Sequence, residues 1–441
     1  MKFLSPAVFA ATILAAPGLA HAQAVGSQVT PGVEGGFAVQ QDAVPDSFFT
    51  RDRNVSVTQR PRPDYQARGL PLGGFRLYPR LSLDVEGNDN VYAAADEQGD
   101  AIFRVRPELA MQSGWSRHQL GLYASADLTR FAEYTTEDTT SYTVSGNGRL
   151  DIVRGTNVFA GIDFRRVFEP RTSPTSPVAA AEPVEYHLLT GNVGAVREFN
   201  RVRVSVRADY LRYDFDDVED VSGGVIDQDN RDRQVYSGAV RAEYALSPAA
   251  SVFVSGKVNE RDYKYPPLAG AVRRDSKGYS GTAGINFELT NLIRGEVEVG
   301  YLSQNYTQSG LHTLNGLAMA GKLEWFVSQL TTLTFNASRT VEDATDSRAG
   351  GFLSTGGSAS VDHELLRNLI LNAQFAYAVD DYQDILRKDK RLQASAGATF
   401  LFNRGLSARL RYSYIKQNSD GADSTVDFDV NRVLLTLMFQ I

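Results

Sequence analysis

The residues from Phe75 to Glu86 constrain this chain more than any other feature. Odd positions read Phe75, Leu77, Pro79, Leu81, Leu83 and Val85, and even positions read Arg76, Tyr78, Arg80, Ser82, Asp84 and Glu86. An apolar–polar period of two marks a β-strand with one face in an apolar medium and the other in a polar one. The run outlasts an ordinary strand of about 5–6 residues and matches the roughly 9–11 residues of a tilted bilayer crossing. The alternation returns in Ile102–Gln112, Gln119–Thr129 and Val202–Arg212, and in Leu406, Ala408, Leu410, Tyr412 and Tyr414 opposite Ser407, Arg409, Arg411 and Ser413. Helical spans are excluded past the N-terminal segment. The longest later apolar runs, Val91–Ala95 and Phe375–Val379, are five residues each, against the roughly 18 that a spanning helix needs.

Connections are of two kinds. Tight turns are expected near Gly114-Trp115, Arg154-Gly155, Glu198–Arg201, Ser247-Pro248, Asn291-Leu292, Trp325-Phe326, Leu365–Asn368 and Asn403–Gly405, and polar loops such as Glu169–Glu185, Phe215–Asn230 and Tyr263–Arg274 lie between them. Eight short turns joining nine long-loop hairpins give about 18 antiparallel strands. The fold class is therefore all-β, a transmembrane outer-membrane β-barrel with short periplasmic turns and longer extracellular loops. A β-propeller also repeats at about 40 residues, but it would pack four short strands where two long ones stand here.

The chain starts with Met1-Lys2, an apolar stretch to Ala16, a Pro17-Gly18 break and Ala20-His21-Ala22. Residues 1–22 thus read as a cleaved export signal. Residues 23–72 have no sustained period and contain Arg60-Pro61-Arg62-Pro63; they are expected to be a flexible periplasmic lead. The barrel would occupy 73–441, with both termini periplasmic. A docking peptide is the other reading of the lead.

If the apolar face meets lipid, the opposite face lines a lumen. Its candidates are Arg76, Arg80, Arg104, Arg106, Glu108, Arg149, Asp151, Asp163, Arg165, Arg203, Arg207, Asp209, Arg241, Glu243, Glu296, Glu298, Arg409 and Arg411. Mixed signs at this density point to cross-strand ion pairs in a hydrated interior, either a plain wall or a charge-shaped solute path. Barrels of 16–18 strands leave room for an aqueous channel unless a loop or the lead plugs it. Trp115 and Trp325 are expected in one interfacial aromatic girdle and Tyr210, Tyr301, Tyr377 and Tyr412 in the other. Pairing Glu86 with Asp100 would set Pro79 opposite Pro107 and break the first hairpin by a bulge or an unpaired patch.

Little in the sequence points to catalysis. The chain has no cysteine, which removes thiolate metal sites and cysteine nucleophiles. Beyond the signal, His118, His187, His312 and His363 are scattered, and no HExxH or GxSxG pattern occurs. His363 with Asp362 and Glu364 reads as solvated polar surface beside a turn. The acidic clusters Asp214–Asp220 and Asp227–Asp232 match no calcium-loop spacing. A net charge of −7 argues against nucleic-acid binding. Neither an enzyme nor a cofactor or metal site is expected.

Gly74-Phe75 leads to Tyr78-Pro79 and Leu81; then come Asn88-Asp89-Asn90-Val91-Tyr92 and Val105-Arg106-Pro107-Glu108-Leu109 before a Trp-containing turn. In these elements the chain resembles the β-barrel porin-2 family of outer-membrane proteins, with a looser strand pattern over about 73–441. The resemblance implies a non-enzymatic conduit, with exopolysaccharide export alongside periplasmic partners as its leading function. The alternatives are a porin for small solutes and a structural or adhesive barrel. It carries over no catalytic residues. The expected surroundings are outer-membrane lipid and lipopolysaccharide, the barrel-assembly machinery and periplasmic polysaccharide-export proteins. The chain departs from barrel habit by ending Phe439-Gln440-Ile441 rather than on an aromatic residue.

Overall fold

The computed structural model describes residues 55–264, 272–290, 292–346 and 348–441. The signal 1–22 and residues 23–54 of the lead lie outside the described residues. Eighteen long strands form the barrel. In chain order they are β1 (Phe75–Asn88), β2 (Asp100–Ser113), β3 (Gln119–Phe131), β4 (Thr139–Val153), β5 (Thr156–Phe168), β6 (Glu185–Phe199), β7 (Val202–Phe215), β8 (Arg233–Ser247) and β9 (Ala250–Tyr263). The second half runs β10 (Ser276–Leu289), β11 (Ile293–Tyr306), β12 (Leu314–Ser328), β13 (Thr331–Asp343), β14 (Gly351–Leu366), β15 (Leu369–Tyr382), β16 (Lys388–Leu401), β17 (Leu406–Asp420) and β18 (Phe428–Gln440). Each pairs antiparallel with its sequence neighbour. The ring closes where β1 meets β18, from Arg80↔Gln440 to Asn88↔Arg432. Closure removes the sheet edges, so the strand backbones can satisfy one another where no water can.

One end of the barrel carries the short turns, such as 154–155, 200–201, 248–249, 329–330 and 367–368, and the other carries loops of up to 17 residues at 216–232. Register shifts at Asp151/Val153, Ala245/Ser247, Phe326/Ser328 and Glu364/Leu366 each fall just before a two-residue turn, where a rim bulge tightens the strand's twist. The turn expected at Trp325-Phe326 comes four residues later, at Gln329-Leu330, because β12 runs on to Ser328.

The alternation sets the two faces. Leu83 and Val85 are 38% and 49% exposed, whereas Asp84 and Glu86 between them are 3% and 2%. The expected break at the two prolines is corrected by the register. β1 and β2 pair without interruption from Phe75↔Ser113 to Asn88↔Asp100, which sets Pro79 opposite Leu109 and Pro107 opposite Leu81. The prolines turn their missing N–H groups away from this hairpin. Pro79 lies one residue beyond the last β1–β18 pair, and the β2–β3 ladder skips Arg106 and Pro107.

One hairpin leaves the wall. The β12–β13 ladder stops at Met319↔Arg339, although β12 reaches on to Leu314 and β13 to Asp343. Up to Ala337 the outward positions of β13 are Leu333, Phe335 and Ala337; then come Arg339, Val341 and Asp343. A charged pair at those positions would have to face lipid, so the strand bends inward. Its outer face, with Val341 and with Leu353 of β14, packs on the inner faces of β11 and β12, in one cluster with Leu302, Leu314 and Ala318. Consistently, the inner face of β12 there is apolar, Leu314, Gly316 and Ala318, where other strands carry charge.

The lead departs from its expected flexibility over 55–72. The Val57 N–H donates to Thr332 Oγ1 (3.1 Å) at the foot of β13, and the Val57 side chain is fully buried. Arg60 and Arg62 both reach Glu364 at the foot of β14, at 3.2 and 2.8 Å. Further along, Gln440 Nε2 donates to the Tyr65 carbonyl (3.3 Å) and the Gly69 N–H to the Ile441 carbonyl (3.2 Å). Leu70–Leu72 then pairs with the start of β1 through a turn at Gly73, whose φ of +58° suits glycine. The segment is thus a strap across the short-turn mouth from β13 to β18. Its Arg-Pro-Arg-Pro run, unable to join a ladder, is the part that is pinned.

Candidate functional site: a lumen entered by its own chain

Every one of the candidate inner residues falls on the strand face opposite the exposed apolar one. Most are held in ion pairs. In the first hairpin Arg80 meets Glu108 (3.1 Å), Arg104 meets Glu86 (2.6 Å) and Arg106 meets Asp84 (2.5 Å). Glu86 and Asp84, buried on the same face, are partners that the candidate set lacked. Arg149 pairs with Asp151 (3.1 Å), Arg165 with Asp163, Arg203 with Glu198 (3.5 Å) and Arg207 with Asp209 (2.6 Å). Arg241 bridges Glu296 (2.7 Å) and Glu243 (3.5 Å), and Glu298 accepts from Thr282 Oγ1 (2.8 Å). Arg409 donates to Thr399 Oγ1 (3.3 Å), with Arg411 on the same face. Arg76 stands apart: it is exposed at the short-turn rim and donates to the Arg68 carbonyl (2.7 Å).

Of the aromatic candidates, the two tryptophans lie at the short-turn end and the four tyrosines on the outward face nearer mid-strand. Trp115 lies in the β2–β3 turn edge-on to Phe75 (5.3 Å between centroids), and Trp325 is exposed near the foot of β12. Tyr210 packs on Tyr236 (5.2 Å), Tyr412 donates to Asn431 Oδ1 (2.6 Å), and Tyr301 and Tyr377 are exposed on the outer wall.

The inward hairpin reaches into this lined tube and ties strands of the wall to one another. Asp343, at the end of β13, reaches the inner wall four and five strands away, where Arg261 of β9 donates to its Oδ1 and Arg233 Nε of β8 lies 3.0 Å from its Oδ2. Arg261 also donates to the Val341 carbonyl (3.1 Å), and Arg274 to the Ala344 carbonyl. On the far side of the tip, Arg348 meets Asp423 (2.5 Å), and the Gly350 N–H donates to Asp384 Oδ2 (3.2 Å). Arg348 also holds Asp346 below its usual carboxylate range, chiefly through a direct hydrogen bond. Loop 169–184 crosses above: Arg231 pairs with Glu169 (3.0 Å), Arg171 with Glu137 (2.6 Å), and Arg387 donates to the Pro174 carbonyl (3.4 Å).

Under the hairpin lies a cavity of about 230 Å³, lined by Arg207, Arg241, Lys257, Arg261, Glu298 and Arg339 among others. A smaller one of about 40 Å³ lies above it, bounded by Glu169, Tyr186, Arg233, Arg274 and Asp343. None of Lys257, Arg233, Arg261, Arg274 and Asp343 stood among the sequence candidates. For Asp343 the signal was present, since a carboxylate on the outward parity of a membrane strand cannot stay in lipid. For the arginines only the pairing across the lumen singles them out.

One polar set differs from its expected reading. Glu364 is not solvated surface: it is 2% exposed and holds Arg60 and Arg62, while His363 Nδ1 lies 2.9 Å from Thr331 Oγ1. The acidic loop 216–232 spends its carboxylates on its own backbone. Asp232 accepts from the Phe215 N–H (2.6 Å), Asp217 from Gln228 (2.8 Å) and Asp220 from Ser222 (2.6 Å) and Gly224 (3.0 Å). Burial, aided by neighbouring Asp214, raises Asp232 to about 6. Among the described residues one group, Glu185, His187 and Asp216, brings metal-type donors together. There Glu185 is already forked by Arg166, whose Nη2 lies 2.6 Å from Oε2.

A closed eighteen-strand barrel with a charged inner face is what a porin requires. The family described as Putative beta-barrel porin 2 matches residues 62–441. The chain belongs to that family. The matched span begins inside the strap, at Arg62. A search of curated proteins finds no match. Among solved structures, the chain is similar to OccAB3 of Acinetobacter baumannii, at 14% identity over 84% of this chain and 100% of that one, with a TM-score of 0.46. OccK1 (OpdK) of Pseudomonas aeruginosa shares 10% identity over 83% and 99%, with a TM-score of 0.44. The siderophore receptor PiuA of A. baumannii shares 10% over 85% and 82%, with a TM-score of 0.48.

Proposed function

We propose that this porin-like barrel is a gated, selective conduit for small solutes in the outer membrane, with its short turns and both termini in the periplasm. The observation that carries the reading is that the chain's own elements stand in both mouths of a barrel wide enough to conduct: the strap at one end, the hairpin tip at the other. Eighteen strands exceed what an anchor needs, and a lumen faced by ion pairs, with two cavities each bordered by charged side chains, suits hydrated solutes rather than a passive wall. No residue is assigned a catalytic role. The exposed apolar band and its flanking Trp and Tyr residues would sit in the bilayer and at its two interfaces.

The purified full chain in planar lipid bilayers is expected to give discrete conductance steps, more frequent after Glu364→Ala frees the strap. A barrel silent in both forms overturns the conduit. Exopolysaccharide export with periplasmic partners is the second reading. The strap favours it, because a periplasmic partner could displace a segment held at that rim. Loss of secreted polysaccharide on gene deletion, restored by the wild-type gene, would establish export; unchanged polysaccharide leaves the small-solute reading.

A further inference from the structure

The contact between the hairpin and the wall has the composition of a ligand site. On the wall side, Tyr213 of β7 is paired in register with Arg233 of β8, and Arg233 with Tyr263 of β9. The Arg233 guanidinium lies 4.0 Å from the centre of the Tyr213 ring and 5.8 Å from that of Tyr263, and Arg274 lies 5.1 Å from that of Tyr263. Ring faces fix guanidinium planes, and a fixed guanidinium is a preformed fork for a carboxylate. Arg233 and Arg261 sit on rigid, fully paired strands. The carboxylate that contacts both, Asp343, sits instead on the hairpin that has given up its ladder with β12. The small cavity beside it is bounded by Arg233, Arg274 and Asp343, and the larger one below by Arg261. The Asp343 contact thus stands between the two spaces a solute would cross.

We propose that Arg233, Arg261 and Arg274 form a binding site for the carboxylate of a small anionic solute, and that Asp343 occupies this site in the closed barrel as a built-in stand-in. The inference rests on the conduit reading above and names the class of solute. An arriving carboxylate replaces Asp343 on the arginines, so the buried cations are never left bare, a state that would be strongly unfavourable. Tyr213 and Tyr263 then offer ring faces to the body of the solute.

The test uses full-length Asp343→Ala barrels in planar bilayers, titrated with D-glucuronate or with D-glucose, which lacks the carboxylate. Glucuronate is expected to reduce the current at concentrations at least tenfold below those of glucose. Adding Arg274→Gln should erase most of that preference. Equal effects of the two sugars, or a preference that survives Arg274→Gln, overturn the site while leaving the conduit standing. If neither wild type nor Asp343→Ala conducts, the conduit itself falls, and the thermal unfolding of Asp343→Ala in detergent decides the site. Acetate should then raise the unfolding temperature where acetamide does not, and no difference between them overturns the site as well.

Discussion

Hairpins β1–β2 and β13–β14 start alike and end differently. In β1 the outward positions Leu81, Leu83 and Val85 stay apolar, and the strand remains in the wall, paired on both sides. In β13 the outward series Leu333, Phe335, Ala337 is interrupted at Arg339 and again at Asp343, and there its ladder with β12 ends. A membrane wall is thus specified residue by residue on its lipid side. Where the specification lapses, the chain turns inward, and the lapsed carboxylate of Asp343 becomes a contact inside the lumen.

The foot of β14 should give the largest effect. Glu364→Ala leaves Arg62, itself buried, without its carboxylate, and removal of one partner from a buried pair costs about 3–5 kcal/mol. The strap 55–72 should then be cut by proteinase K at a rate at which the wild type is intact. Equal cutting would mean that the strap does not depend on its pinning point. Next comes the same substitution in the two hairpins. Leu353→Ala empties a buried position of the hairpin's cluster, at a cost of about 2–5 kcal/mol, read as faster hydrogen exchange at 344–350. Leu83→Ala, on the exposed face, should leave exchange in its own hairpin nearly unchanged. Similar effects at both sites would erase the contrast between wall and plug.

A converse change sharpens the comparison. Leu83→Arg puts into β1 the charge that β13 carries at Arg339, and an arginine at mid-bilayer costs about 2–4 kcal/mol, measurable by urea unfolding in lipid vesicles. A cost near zero would mean that outward charge is not what drives β13 inward. The smallest effect concerns loop 216–232. Because Asp232 is raised to about 6 by burial, its folded form binds more protons than its unfolded form between the ordinary carboxylate range and that value. Its contribution is therefore fully present below about pH 4 and lost as pH rises through about 6. Loop protection against hydrogen exchange should fall between pH 5 and pH 7.5, and Asp232→Asn should flatten that dependence.

The wall was legible because it is a local code. Period two, turn residues and the alternation of short and long connections are written along each strand, and they yield the strand count, the two faces and the inner charges down to individual residues such as Arg104, Arg207 and Glu296. The register of the first hairpin was not legible to within two residues, since sequence shows the prolines but not which neighbouring strand each N–H would face. The strap is illegible in the sequence for a related reason. Arg60-Pro61-Arg62-Pro63 has no period of its own, and Glu364, which gives it a place, lies about three hundred residues away.

Sequence alone determined that this chain must be a barrel, since only closed sheets of alternating strands can satisfy these residues in a bilayer. Tertiary structure alone decided what stands in the mouths of the barrel. That depends on Asp343 meeting Arg261 and Arg233 across the lumen, and on Arg62 meeting Glu364 across the rim. Such contacts join strands several places apart around the ring. No pattern within a single strand encodes which charges will face each other once the ring has closed.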